Sequence, residues 1–334
     1  MTISSGRRLA SSRPLSTAAL LLVLLAGPAS AADLQLDNIK LDLGKFMLSI
    51  PKLEVQGTPV DRESFLAIFQ SGGEGPVSKL GKLTADEITA PTLTMEVNVG
   101  PEKQVTTYRD VKLSDIREGR IGLMVSSGGS IKAEGGANGP MTGEFKRNSS
   151  EAFDLVQSAR IFIDKAAPGE TAPMRPIVGR MEIDGYSLDL GEAGKMSAGK
   201  ASLSGFKARV LSEPMGELMT RISVLSEESE KASRDLNSKE DPAISEARDR
   251  KLLVAMAEVF GAVDFGSGEI RDIAMALKTP PKPGAKAEPV DMRLARIAFG
   301  ENTPDKSGYV VEGLQFEGSG AKGIIASLGS SGFS

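Results

Sequence analysis

The chain has 334 residues, 40 of them basic and 44 acidic, with no His, no Cys and no Trp. Those absences exclude disulfides, thiol nucleophiles, Ser-His-Asp machinery and metals held by His or Cys. Interspersed charge and an aromatic content of 4% exclude a nucleic-acid arm, a base-stacking surface and the aromatic girdles of an outer-membrane barrel.

Residues 1–31 read as a secretory signal peptide. Arg7, Arg8 and Arg13 precede an apolar run, Leu15 to Ala26. Gly27-Pro28 breaks the run, and Ala29-Ser30-Ala31 supplies the small-x-small cleavage pattern. Gly6-Arg7-Arg8-Leu9-Ala10 is a poor twin-arginine motif, so the general secretory route is expected. The expectation is export to a bacterial periplasm with cleavage after Ala31. Beyond the leader no apolar segment approaches the roughly 18 residues of a spanning helix, so the mature chain is expected to have no transmembrane segment.

From Leu34 onward the dominant pattern is apolar residues two apart. It is seen at Leu34 and Leu36, then Ile39, Leu41 and Leu43, then Leu48 and Ile50, then Leu53 and Val55. It returns at Leu93 to Val99, Val111 and Leu113, Ile121 to Val125, Ile161 and Ile163, Met181 and Ile183, and Tyr186 to Leu190. Period two marks strands with one buried face, and hence antiparallel sheet. Gly100-Pro101, Glu118-Gly119, Gly128-Gly129, Asp184-Gly185 and Gly191 read as turns.

Helical spacing is rarer. Asp61 can cap a short helix carrying Phe65, Leu66, Ile68 and Phe69, ended by Gly72-Gly73. Ser149 or Ser150 can cap a second helix with Phe153, Leu155 and Val156. Residues 213–261 read as a helical hairpin. Met215, Leu218, Met219, Ile222 and Leu225 form one apolar face, and Leu252, Leu253, Met256, Val259 and Phe260 form the other. Ala166–Pro176 and Lys278–Pro289 are proline-rich connections. Gly318–Ser334 reads as a frayed tail or as chain continuing into another helix.

The fold class expected is α+β. Antiparallel meanders make a long or curved sheet, with short helices and the hairpin packed on it. Residues 32–334 form one β-rich domain. Helix starts near Asp61, Ser149 and Ala243 suggest helix-then-sheet modules of about 90 residues, at about 61–132, 149–210 and 243–330.

Chemistry is sparse. Asp184, Asp189 and Glu192 cluster at one turn, and Asp110, Asp115 and Glu118 at another. A His-free hydrolase would use such carboxylate pairs, and solvated turn residues look the same. No Asp-x-Asp-x-Asp-Gly calcium loop exists, and Asn302-Thr303-Pro304-Asp305 reads as a turn. Ser197-x-x-Lys200 has the Ser/Lys spacing without a helix or companion motifs, and Ser229 with Lys231 has it only loosely. Gly135–Gly139 lacks the Lys-Ser/Thr of a phosphate loop. Asn148-Ser149-Ser150 fits a glycosylation sequon. Met215, Met219 and Met256 read as core. No catalytic, metal or cofactor site is assigned.

The leading functional reading is therefore an exported, non-enzymatic envelope protein. It would act as a scaffold or binding module, with lipid or another envelope protein as partner and no nucleic acid. In architecture alone it resembles the large envelope proteins built from repeated amphipathic strands that handle lipids. Two other readings stay open: a carboxylate-dependent hydrolase of envelope polymers, and an interaction module acting through residues 213–261.

Overall fold

A strand that alternates apolar and polar side chains must pair its backbone and cover its apolar face, and this chain meets both demands with one sheet. The computed structural model describes residues 32–330 apart from 43–44, 71, 100–101, 136–138, 235–241, 279–287, 304–307 and 319–320. The signal peptide, the Gly100-Pro101 turn and most of the Lys278–Pro289 connection lie outside the described residues.

The described strands are antiparallel. The first eight are β1 (Ala32–Asp42), β2 (Phe46–Thr58), β3 (Ala85–Val99), β4 (Glu102–Arg117), β5 (Arg120–Ser126), β6 (Gly128–Glu134), β7 (Met141–Phe145) and β8 (Asn148–Asp154). The rest are β9 (Arg175–Ile183), β10 (Tyr186–Asp189), β11 (Gly194–Ala198), β12 (Ala201–Ala208), β13 (Val263–Asp264), β14 (Ser267–Lys278), β15 (Pro289–Phe299), β16 (Tyr309–Gly318) and β17 (Ala321–Ser330). Five successive pairs lie end to end as single bent strands: β5/β6, β7/β8, β9/β10, β11/β12 and β13/β14. From edge to edge the order thus follows the chain, β1 to β17, as one long meander. The β-rich α+β class read from alternation is the class observed; the 90-residue repeat is not evident in this continuous meander.

The bends fall on one line across the sheet. Asn38, Asp110, Gly128, Gly185, Asp272 and Gly313 all have left-handed backbone, with φ of 56°, 49°, 139°, 152°, 54° and 64°. A left-handed residue turns the chain so that the next side chain returns to the face just left. Apolar spacing therefore jumps from two to three at this crease. Leu36/Ile39, Ile50/Leu53, Ala90/Leu93 and Tyr108/Val111 share one core, and Ile270/Ile273, Leu294/Ile297 and Val311/Leu314 share another. Neighbouring strands are registered crease to crease: Leu36 faces Leu53 while Ile39 faces Ile50, and Val311 faces Leu328 while Leu314 faces Ile325. A second line, through Gly57, Asp115, Ala152, Gly205 and Gly266, crosses the sheet parallel to the first. Here Asp86 packs against Gly57, Asp115 against Gly122 and Ala152 against Gly179.

Helices cover part of the apolar face. They are α1 (Arg62–Ala67), α2 (Pro76–Leu80), α3 (Leu155–Ile163), α4 (Met215–Arg234) and α5 (Pro242–Ala262). Asp61 caps α1 by accepting from the Ser64 N–H at 2.8 Å. Phe65 of α1 and Leu80 of α2 are fully buried over β1–β5. The amphipathic α3 joins two cores, with Ala159 in the first and Ile161 in the second. Its Phe162 meets Phe46 of β2 edge-on at 4.3 Å between ring centres. The second core also takes Met215 and Leu218 of α4 and Ala255 and Ala262 of α5. No described helix is long and apolar enough to cross a membrane.

Several local expectations are corrected. Ser149 and Ser150 do not cap a helix. They lie in β8 opposite Val125 and Met124, and Asp154 caps α3 through the Gln157 N–H at 2.7 Å. The strand wins because β5 and β9 offer ladder partners on both sides. Gly318–Ser334 is not a frayed tail over its described length: β17 pairs with β16 from Ala321 to Ser330. Of the three hairpin methionines only Met215 is core; Met219 and Met256 are exposed.

Candidate functional site

The register places one apolar row across the whole sheet. It runs Leu41, Leu48, Met95, Thr106, Ile131, Gly143, Leu188, Met196, Met275, Met292, Phe316 and Gly323, each opposite the next. Its first strands lie in the helix-covered core. The rest differs. The third apolar cluster centres on Ala198, Ile273 and Leu294, and Tyr186, Met275, Met292 and Leu314 pack against these. Every one of those residues is on a strand, and among the described residues no helix residue belongs to the cluster.

A cavity of about 970 Å³ follows this half of the row, from Ile131 to Gly323. Two glycines in the row are covered by neighbours: the Leu188 side chain lies over Gly143 and the Phe316 ring over Gly323. A Cβ at Gly323 would sit 2.3 Å from that ring, so the glycine lets the phenyl lie flat on the sheet. Three methionines in succession give the row a soft, adaptable surface. Charged residues flank it. Asp189 pairs with Lys195 at 3.4 Å and Glu317 with Lys322 at 3.2 Å, and Lys132 and Arg293 also line the cavity. The arrangement suits an amphipathic ligand whose apolar part follows the row and whose polar part meets the rim.

Most of the residues singled out for chemistry have structural partners. Asp110 accepts from the Ser127 hydroxyl at 2.7 Å within the crease. Asp115 lies on the second crease, 3.5 Å from Arg117. Glu118 is in a left-handed turn whose N–H donates to Thr84. Asp189 accepts from the Gly191 N–H at 3.0 Å, Asp184 donates its N–H to the Arg147 carbonyl, and Glu192 is exposed on a 3₁₀ turn. Ser197 is a strand residue opposite Ser187, and Lys200 pairs with Glu182. Ser229 lies within α4, near Asp249. Thr303 closes its turn onto the Gly300 carbonyl at 2.8 Å, while Pro304 and Asp305 lie outside the described residues, as does most of the Gly135–Gly139 loop. Asn148 is buried and donates to the Ser126 hydroxyl at 2.8 Å, so the sequon presents no free amide. Among the described residues no group of three acids could hold a metal ion.

Two partly buried acids serve the sheet. Arg180 and Lys200 hold the Glu182 carboxyl below the usual glutamate range, and Arg271 with Arg296 does the same for Glu269. Burial alone pushes the phenol of Tyr108 up. A lowered folded-state value means the stabilisation is complete above the ordinary glutamate value of 4.5 and is lost as pH falls through the folded value. Denaturant midpoints measured from neutral to acid pH are expected to decline below that point, and Glu269→Gln is expected to flatten the decline. An unchanged acid profile in the variant would remove this pair from the account.

The methionine row was not singled out in the sequence. Its signal was present, because Met196, Met275 and Met292 each fall in phase with a strand's apolar alternation, but their alignment needs the register between distant hairpins. No family model, curated protein or solved structure matches the chain.

Proposed function

We propose that this is an exported, non-enzymatic envelope protein that binds the acyl part of a lipid along Leu188, Met196, Met275, Met292 and Phe316. The observation that carries the reading is the margin of the strand-only apolar cluster: elsewhere the same sheet face is closed by helices, and here Met275 and Met292, which pack against the buried Ala198, Ile273 and Leu294, line an open cavity. Five strands at about 4.8 Å spacing offer a straight apolar path of roughly 20 Å, normal to the strands. The signal-peptide pattern of residues 1–31 supports export, and the absence of His and Cys supports a binding role over catalysis.

The test is native mass spectrometry of the purified protein, with the Met275→Lys/Met292→Lys variant beside it. A co-purifying mass of lipid size is expected in the parent and not in the variant. Binding of an apolar fluorescent dye is expected to weaken about tenfold or more, because two ammonium groups would have to be desolvated on the path. Both methionines are partly exposed, so the fold should tolerate the change. A bare protein mass with no dye binding would overturn the reading. A second reading has its own observation: α5 exposes Leu253 and Phe260 at 67% and 64%. A co-purifying polypeptide, lost in Leu253→Ser/Phe260→Ser, would favour a protein partner at the helical hairpin instead.

A further inference from the structure

Among the described residues the sheet has two edge strands, β1 and β17, and they are built differently. At the β1 edge Asp33, Asp37, Lys40 and Asp42 are spread along the strand, and left-handed Asn38 bends it. Charges and a kink are the ordinary defence of a free edge. β17 has no left-handed residue and, along most of its length, no charge. Its only charge is Lys322, near one end, and residues 323–330 are Gly, Ile, Ala, Ser and Leu. Ile324, Leu328 and Ile325 are exposed at 70%, 53% and 40%. Such an edge is a template for another strand.

We infer that β17 pairs antiparallel with β17 of a second copy of this chain, about a twofold axis between Ala326 and Ser327. The register follows from the rule that every neighbouring pair obeys, crease facing crease. The three-residue gap of β17 lies between Ile325 and Leu328, which face Leu314 and Val311 of β16. Only one self-pairing sets that gap against its own copy. It places Ile325 opposite the partner's Leu328, Ala326 opposite the partner's Ser327 and Ile324 opposite the partner's Gly329. Ile325 and Leu328 are on the apolar face, so the face runs on without a break into the partner. No charge is enclosed between positions 323 and 330. The pairing is self-complementary and closes on itself, as the commonest oligomers do. It goes beyond the lipid reading and does not depend on it.

Sedimentation of the purified protein is expected to give twice the chain mass, and Leu328→Lys to give the single-chain mass. The exposed position of Leu328 leaves the monomer free to fold. The chain has no Cys, so an introduced thiol reports only on its own neighbour. Mixing Ala326→Cys chains with Ser327→Cys chains under oxidation is expected to yield a cross-linked pair, since the two positions face one another within disulfide reach. This readout stands even if the Leu328→Lys variant fails to fold. A parent of single-chain mass would overturn the inference. So would a dimer untouched by Leu328→Lys in its folded form, or cross-linking confined to a mixture of Ala326→Cys with Asn38→Cys, which would mean head-to-tail association through β1.

Discussion

Gly128→Val is expected to cost more than about 3 kcal/mol and to shift the denaturant midpoint sharply down. Two effects add. Gly128 has φ 139°, a conformation that L side chains rarely adopt, and strain of that kind costs about 1–3 kcal/mol. A Cβ there would also lie 2.5 Å from the Phe145 carbonyl oxygen and 3.3 Å from the Lys146 carbonyl carbon. Both contacts are backbone of the next strand, β7, and its continuation, so relief requires opening the ladder at the crease. Because the crease is continuous, the shift should reach the register between β6 and β7 and hence the cavity. The contrasting substitution is Ala152→Gly on the second crease. Ala152 has φ 51°, and a glycine there relieves left-handed strain of about 1–2 kcal/mol at an entropic cost of roughly 0.5–1 kcal/mol. A small gain in stability is expected. If equilibrium unfolding showed Gly128→Val within experimental error of the parent, the crease could not be what shapes the sheet.

The crease also explains what was legible in the sequence and what was not. Alternation identified strands because period two survives within each half strand; it misled at Ile161 and Ile163, which lie in α3, where the Asp154 cap starts a helix and burial follows its apolar face. The jump from two to three was visible as well, at Leu36 to Ile39 and Ile50 to Leu53, and the registers follow from aligning those gaps. A three-residue step in isolation, however, looks like a break between separate strands. Asp184-Gly185 and Gly128-Gly129 look like turns in the sequence for the same reason. Left-handed Gly and Asp are turn residues by habit, and here they lie inside strands that bend and go on. The C-terminal strand was missed because Gly, Ser and Ala carry little strand preference of their own; β16 supplies the pairing. The apolar row was beyond local reading altogether, since Met196 and Met275 become neighbours only after the helical hairpin has been bridged.

Phe65→Ala is expected to cost about 3–5 kcal/mol, the range for emptying a fully buried aromatic site. Phe65 has no exposed surface, packs 5.7 Å from the Phe69 ring and belongs to the core that closes β1–β5. α1 is a six-residue helix of less than two turns with little stability of its own, so its contribution is the wedge its side chains make. The informative part is where the damage appears. The first core and the strand-only cluster have no residue in common; hydrogen-bonded strands connect them. In a meander whose strands touch only their neighbours, destabilisation should stay near its source. Amide hydrogen exchange in Phe65→Ala is therefore expected to accelerate in β1–β4 and to hold nearly steady in β14–β16, with lipid or dye binding largely kept. Equal acceleration at both ends would mean that the sheet opens as one unit. The helix-covered half would then be an energetic partner of the open half, and removing Phe65 would weaken binding at a cavity it does not line.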